Sequence, residues 1–202
     1  MKNYYELEDI PGLVTMVQVY DLYNSALASG YAMVADLKTE RDDDKRILKR
    51  VSKLGKARIG SGHDCFLKGI IVNYNISINH IVWLEFMRYH FHDIVTSQSK
   101  MHRLTQMDLR SQCTRFVHPN AIALVEELRE VWDMATDPVV KKEAWRTMLD
   151  STPLGLKLSA RITTNYLQLK SIYNQRKNHK MEEWVELCKW METLPYFKEF
   201  IL

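Results

Sequence analysis

The spacing of apolar residues changes period several times along the chain. Residues 13–20, Leu-Val-Thr-Met-Val-Gln-Val-Tyr, partly alternate and predict a strand. A short helix is expected over 21–29. Residues 40–54 carry acids in the first turn and bases later, the order that complements a helix dipole, and Gly55 is a natural stop. A turn rich in glycine and serine follows, Gly60-Ser61-Gly62-His63-Asp64. Residues 66–77 are β-branched and alternate toward their end, which predicts a second strand. Over 79–89, Ile81, Val82, Phe86 and Tyr89 stand at helical spacing. From Phe91 the pattern breaks into a polar, hydroxyl-rich stretch.

The later part of the chain is mostly helical in period. Pro119 opens a helical segment over 119–135, and a second helix over about 138–149 precedes Pro153. Residues 154–162 alternate weakly and predict a strand. Amphipathic helices are expected over 163–177 and 181–193, the second stopped by Pro195 ahead of an aromatic tail. The order has strands early, helices mostly late and no regular βαβ alternation. It predicts an α+β fold, a mixed or antiparallel sheet packed with long helices, in a single domain over 1–202.

Composition agrees with that picture and narrows the function classes. The chain has 202 residues, 46% apolar and 26% charged, enough to bury a core without staples. Cys65, Cys113 and Cys188 lie far apart and form no CxxC pair, which excludes a zinc ribbon and a disulfide framework and suits a reducing cytoplasm. Residues 1–6 lack the apolar stretch of a signal peptide, and no apolar run approaches the ~20 residues of a membrane span. A cytoplasmic protein without membrane contact is expected. A net charge of +3 is too small to argue for nucleic acid, and the basic clusters at 45–58 and 170–180 read equally well as solvated helix faces. Neither GxGxxG nor GxxxxGK[ST] occurs, so the usual phosphate cradles are absent.

Two polar constellations carry the candidate chemistry. Residues 85–103 include Glu85, Arg88, His90, His92, Gln98, Ser99, His102 and Arg103. So many polar groups would each need a partner in a core. They suit a site that holds phosphate or a base edge, with arginine forks and hydroxyl or amide donors. A polar loop of ordinary histidines is the alternative. His90-x-His92 lacks a third ligand at metal-site spacing, and no Gly-x-Ser-x-Gly elbow supports Ser97 or Ser99 as a nucleophile. No metal is expected. In the second constellation, Asn165, Leu169, Ile172 and Arg176 share one helical stripe that mixes apolar and polar residues. That mixture fits a helix lining a pocket, or an amphipathic helix with polar edges.

Together these segments resemble the flavin-dependent thymidylate synthases, from about residue 40 to the end. The most specific part is C-terminal: Asn165, then Ser171-Ile172-Tyr173-Asn174-Gln175-Arg176, then Glu183-Trp184-Val185-Glu186, then Pro195-Tyr196-Phe197. Glu143-Ala144-Trp145-Arg146 before Leu149 and His63-Asp64-Cys65-Phe66 are similar to two further family segments. Arg88-Tyr89-His90 stands where the family has Arg-His-Arg, and Gln98-Ser99-Lys100-Met101-His102 where it has x-Ser-x-Arg-Tyr. His90 and Met101 thus replace family arginines, and Leu167 replaces another.

The resemblance implies FAD as cofactor, with methylenetetrahydrofolate and NADPH as co-substrates. It implies a homotetramer acting on a deoxyuridine nucleotide without a protein nucleophile. Glu85, Gln98, Ser99, Arg146 and Arg176 would contact the nucleotide, with Ser99 and Arg176 in the catalytic role. His63, Arg88, His90, Asn165 and Ser171 would face the flavin. The eroded Arg-His-Arg segment leaves a second reading, a non-catalytic nucleotide-binding protein on the same scaffold. A nucleic-acid-binding protein using Tyr166, Tyr173 and Arg176 is a third.

Overall fold

A five-stranded sheet organises the chain. In the computed structural model, which describes residues 1–37 and 43–202, the strands are β1 (Tyr4–Leu7), β2 (Val14–Tyr20), β3 (Ile71–Asn79), β4 (His92–Ser97) and β5 (Lys157–Asn165). Their order in the sheet is β1-β2-β3-β5-β4. The last strand in sequence therefore inserts between its two predecessors. β1 and β2 pair antiparallel from Tyr4↔Tyr20 to Leu7↔Val17, and β2 and β3 from Val14↔Ile76 to Tyr20↔Ile71. Backbone bonds from Tyr166 N to Ile70 O (3.0 Å) and from His80 N to Leu154 O (2.9 Å) bracket β3 and β5 in the antiparallel sense.

Strand chemistry sets the two faces. Val72, Tyr74, Ile76 and Ile78 of β3 are buried, as are Leu158, Ala160, Ile162 and Thr164 of β5. The alternate residues Asn73, Asn75, Ser159, Arg161 and Thr163 point to the opposite face. One extra residue in β2 shifts the register between Thr15 and Gln18. Met16 sits in this bulge at φ 51°. Asp9 accepts its N–H at 2.7 Å, and Arg161 donates to its carbonyl at 2.8 Å.

The helices are α1 (Leu22–Ala28), α2 (Asp44–Leu54), α3 (His80–Phe86), α4 (Lys100–Arg103), α5 (Leu109–Gln112), α6 (Pro119–Met134), α7 (Pro138–Asp150), α8 (Tyr166–Arg176), α9 (Glu182–Met191) and α10 (Phe197–Ile201). The chain divides into two compact units. The first holds residues 1–76, 87–95 and 161–202. Its core joins β-strand residues to Leu169 and Ile172 of α8, Trp184 and Trp190 of α9, and Phe197 and Phe200 of α10. Tyr74 lies 4.7 Å from the Trp190 ring, and Phe197 meets both Tyr166 and Tyr173 edge-on. Asp43 caps α2 by accepting the Arg46 N–H. Gly55, just past α2, meets α10 closely: a Cβ there would come 2.3 Å from the Phe200 carbonyl oxygen.

The second unit holds residues 77–86 and 96–160. Its core is Leu104, Met107, Leu109, Ile122, Val125, Met148, Leu156 and Leu158. Both long helices open on a cap followed by proline. His118 accepts the Asn120 N–H ahead of Pro119, and Asp137 accepts the Val139 N–H ahead of Pro138.

The α+β expectation with an antiparallel sheet and long helices holds, and several local expectations change. Residues 40–42 of the predicted first long helix lie outside the described residues. Residues 65–68 form a 3₁₀ turn rather than the start of a strand, which begins at Ile71. At Gly69 a Cβ would meet the Ser25 hydroxyl at 2.2 Å, so the glycine lets this turn pack closely against α1. The polar stretch after Phe91 is an edge strand, β4, in which only His92 is buried.

Candidate functional site

Helix α8 carries three of the predicted contacts, all in the first unit. Asn165 caps it, its side-chain oxygen accepting the Gln168 N–H at 2.9 Å. Leu169 and Ile172 of the predicted stripe are fully buried. Ser171 is half-buried and its hydroxyl accepts from Gln175 Nε2 at 3.4 Å. Arg176, on the last turn, is held by aromatic neighbours. Its guanidinium carbon lies 4.6 Å from the Trp184 ring centre and 5.7 Å from that of Tyr89. Its Nε donates to the Tyr89 hydroxyl at 2.7 Å, and its Nη1 lies 3.0 Å from His179 Nε2.

The segment Arg88-Tyr89-His90 divides around that contact. Tyr89 turns inward, and its hydroxyl also donates to Gln175 Oε1 at 3.1 Å. Arg88 and His90 flank it and are exposed. His92, two residues on, points the other way: it is buried, with Nε2 2.6 Å from the Tyr74 hydroxyl. Burial lowers its pKa to about 3, so the ring is neutral. His90 and His92 therefore do not converge. Among the described residues no group of three histidine, cysteine or acidic side chains gathers at metal-binding distance.

His63 is exposed at the end of a loop with two glycines at positive φ, Gly60 (85°) and Gly62 (81°). The next residue, Asp64, is buried and receives the Lys170 ammonium at 2.6 Å. Lys170 also donates to the Ala57 carbonyl at 2.6 Å.

The remaining predicted contacts belong to the second unit. Gln98, where β4 has just ended, is paired twice with Ser159. Its N–H donates to the Ser159 carbonyl at 2.8 Å, and its side-chain oxygen accepts the Ser159 N–H at 2.8 Å. Ser99 precedes α4 and is half-buried, as is Glu85 at the end of α3. Arg146 is exposed on α7, where its Nε donates to Asp150 at 2.7 Å. It lines a groove of about 530 Å³ with Pro138, Val139, Lys142 and Glu143. Burial and the nearby Lys100 ammonium hold His80 below its ordinary pKa. Burial lowers Lys100 as well, opposed by Asp150.

Solved structures share this architecture over nearly the whole chain. Thymidylate synthase X (ThyX) from Helicobacter pylori, with FAD and dUMP, is 14% identical, covers 91% of this chain and 93% of its own, and superposes with a TM-score of 0.58. A second structure of flavin-dependent ThyX from H. pylori, complexed with FAD and dUMP, is 13% identical over 88% and 91%, also at 0.58. The UMP/dUMP methylase PolB from Streptomyces cacaoi, bound with 5-Br dUMP, is 15% identical over 93% and 94%, at 0.62. The chain has the fold of the flavin-dependent thymidylate synthases. No protein-family model matches it, and no curated protein does.

On this ThyX fold, the predicted contacts fall into two local groups. Ser171 and Arg176 lie on α8 and Asn165 caps it, and the buried ion pair ties the His63 loop to the same helix. Gln98 and Ser99 are adjacent in the second unit, where Glu143 and Arg146 line one groove. Sequence reasoning passed over Lys170 and Arg161. Lys170 stands between Tyr166 and Tyr173 at steps of four and three, on a side of α8 that is otherwise apolar. A lone lysine in that setting signals a buried partner. Arg161 alternates with buried Ala160 and Ile162, and its guanidinium reaches Gln18 at 2.7 Å as well as the Met16 carbonyl.

Proposed function

We propose that the chain transfers a one-carbon unit to a deoxyuridine nucleotide with the help of bound FAD. In this reading, residues 1–202 act as one domain of a cytoplasmic homotetramer. The observation that carries it is the likeness in fold to ThyX, whose structure holds FAD and dUMP, and to the UMP/dUMP methylase PolB, over more than 90% of each chain.

The donor set of the first unit fits an anionic dinucleotide. His63, Arg88 and His90 are exposed, and each offers N–H donors to phosphate oxygens. Around Gly60 and Gly62 the space where a side chain would stand is open. The flavin would supply hydride chemistry, with methylenetetrahydrofolate as the carbon source and NADPH as reductant.

The chain's own residues bind, orient and polarise. The oxygen of Asn165 is occupied as a helix cap, so its amino group is the end that faces a ligand. The Gln98 oxygen is likewise occupied by Ser159, which orients its amino group as a donor to a base carbonyl. Glu85 and the Ser99 hydroxyl complete the polar contacts to the nucleotide, and Arg146 takes its phosphate. Arg176 polarises the uracil ring. Its fork exchanges one of its bonds, to Tyr89 or His179, for a uracil carbonyl, while Trp184 keeps the guanidinium plane in place. A fixed cation at that oxygen stabilises negative charge developing on the ring.

The test is an absorbance spectrum of the purified protein, followed by FAD and deoxyuridylate titrations. A yellow protein with flavin bands is expected. A colourless protein that fails to bind added FAD at high micromolar concentration would overturn the reading. The histidine at position 90, in place of an always-charged arginine, favours a second reading of a nucleotide-binding protein without flavin chemistry. That protein would be stabilised thermally by deoxyuridylate alone.

A further inference from the structure

We propose that Lys170 is a positioning residue for His63, acting by fastening both ends of the loop that carries it. Its ammonium donates to the Ala57 carbonyl and to Asp64 Oδ2, each at 2.6 Å. Those two residues bracket 58–63, every one of which is exposed. The side chains of Lys170 and Asp64 are only 4% and 2% exposed. One buried point on α8 therefore grips an exposed loop at its entry and at its exit.

Among the described residues, few backbone hydrogen bonds hold the loop itself. Within it, Ser61 N–H bonds the Arg58 carbonyl at 3.0 Å, and at its exit Cys65 N–H reaches Gly62 at 3.4 Å. Among the described residues, and apart from its immediate chain neighbours, nothing lies within 4 Å of a Cβ placed on Gly60 or Gly62. Those glycines serve the turn, through their positive φ, and not close packing. The order of the loop thus depends on its two anchored ends.

The choice of residue types supports positioning over stability. Burying an ammonium and a carboxylate costs several kcal/mol per ion, and an apolar pair of similar volume is often as stable. An ammonium does what an apolar side chain does not: it presents three directional donors and holds two acceptors at once. Lys170 also precedes Ser171, on the helix that Asn165 caps. The tether fixes the loop of His63 to the helix that carries Ser171 and that Asn165 caps, two further predicted flavin contacts. This role rests on the flavin reading of His63.

The test replaces the pair with apolar residues, Asp64→Leu with Lys170→Met, leaving no buried charge unpaired. Hydrogen exchange is followed residue by residue, and FAD and deoxyuridylate affinities are measured with and without His63→Ala. Exchange at the Ser61 and Cys65 amides, which are the hydrogen-bonded donors of the loop, is expected to rise about tenfold or more while α8 and α9 stay protected. FAD affinity is expected to fall about tenfold from misplacement of one contact, with deoxyuridylate affinity unchanged. On the His63→Ala background the same replacement is expected to have no further effect on FAD. Unchanged exchange in the loop, or an FAD loss that persists in full without His63, would overturn the tether. Failure of the wild-type protein to bind FAD would overturn the flavin reading, while loop exchange still judges the tether. Should the double replacement not fold, Asp64→Asn, which keeps an acceptor and removes the charge, is expected to give smaller changes in the same directions. No change in either measurement would count against the role.

Discussion

The guanidinium of Arg176 lies over the indole of Trp184, 4.6 Å from its centre, with the Tyr89 hydroxyl at 2.7 Å from Nε. A residue proposed to act on a nucleotide is thus also part of the packing between the end of α8 and the start of α9. The stacking fixes the plane of the fork, and the hydrogen bonds select its rotation. The two roles predict different responses to substitution.

Arg176→Ala should lower stability by about 2 kcal/mol, through loss of the cation–π contact and a hydrogen bond. Arg176→Lys keeps the charge and part of the stem packing, and should lose about half as much. Deoxyuridylate affinity should fall about tenfold or more in both, because neither keeps the planar fork. Urea denaturation and calorimetric titration measure the two effects separately. Equal nucleotide affinity in Arg176→Lys and the wild type would remove the fork from the site.

Arg146 predicts the opposite balance. Its side chain is 68% exposed and its partner Asp150 59%. An exposed i,i+4 pair contributes little, so Arg146→Ala should change stability by less than about 0.5 kcal/mol. Deoxyuridylate affinity should fall about tenfold or more if the groove holds the phosphate. Thermal unfolding with and without deoxyuridylate makes the comparison in one experiment. A variant stabilised by the nucleotide as much as the wild type would exclude Arg146 from phosphate binding.

Much of the fold was legible because its central elements obey simple periods. β2, α6 and α7 begin within a residue of where alternation, Pro119 and the helical period before Pro153 place them. The edges were less legible for a physical reason. β4 buries only His92, so its exposed residues carry no alternation to read. β1 is a short edge strand exposed or half-buried throughout. The place of β5, between β3 and β4, depends on long-range pairing that local pattern does not encode. In the candidate site, the polar residues were found by their improbability in a core. What escaped was where that improbability is resolved internally: Lys170 on Asp64, Arg161 on the β2 bulge, and Tyr89 turned inward between exposed Arg88 and His90.

Gly55 offers a test of how α10 closes the first unit. Its φ of −67° suits any residue, so backbone freedom does not explain the glycine. A methyl group there would meet the Phe200 carbonyl oxygen at 2.3 Å and the Val51 carbonyl at 3.0 Å. Gly→Ala at an unstrained position normally stabilises by about 0.4–1 kcal/mol. Here Gly55→Ala should instead destabilise by about 1–3 kcal/mol, as overpacking against backbone does. A stabilised Gly55→Ala protein would mean that α10 does not seat on this turn.

His92 makes stability depend on pH in a calculable direction. Burial lowers its pKa from 6.5 to about 3, so the folded protein keeps it neutral while the unfolded chain takes up a proton below pH 6.5. The unfolded state then binds more protons, and stability falls with falling pH. The contribution is fully present above 6.5 and is lost progressively toward about 3, at a slope approaching 1.4 kcal/mol per pH unit, roughly the value of one proton. His80, whose pKa burial and Lys100 also lower, adds to the slope with the same sign. The carboxylates Asp108 and Glu192, held below their ordinary values, add theirs at lower pH, so the window from 5 to 6.5 isolates the histidines. His92→Gln keeps a side chain able to meet the Tyr74 hydroxyl, which lies 2.6 Å from Nε2, and removes the proton-binding site. Urea midpoints measured across that window should fall steeply for the wild type and more shallowly for His92→Gln. Parallel curves would show that His92 is not the buried neutral ring that its bond to Tyr74 describes.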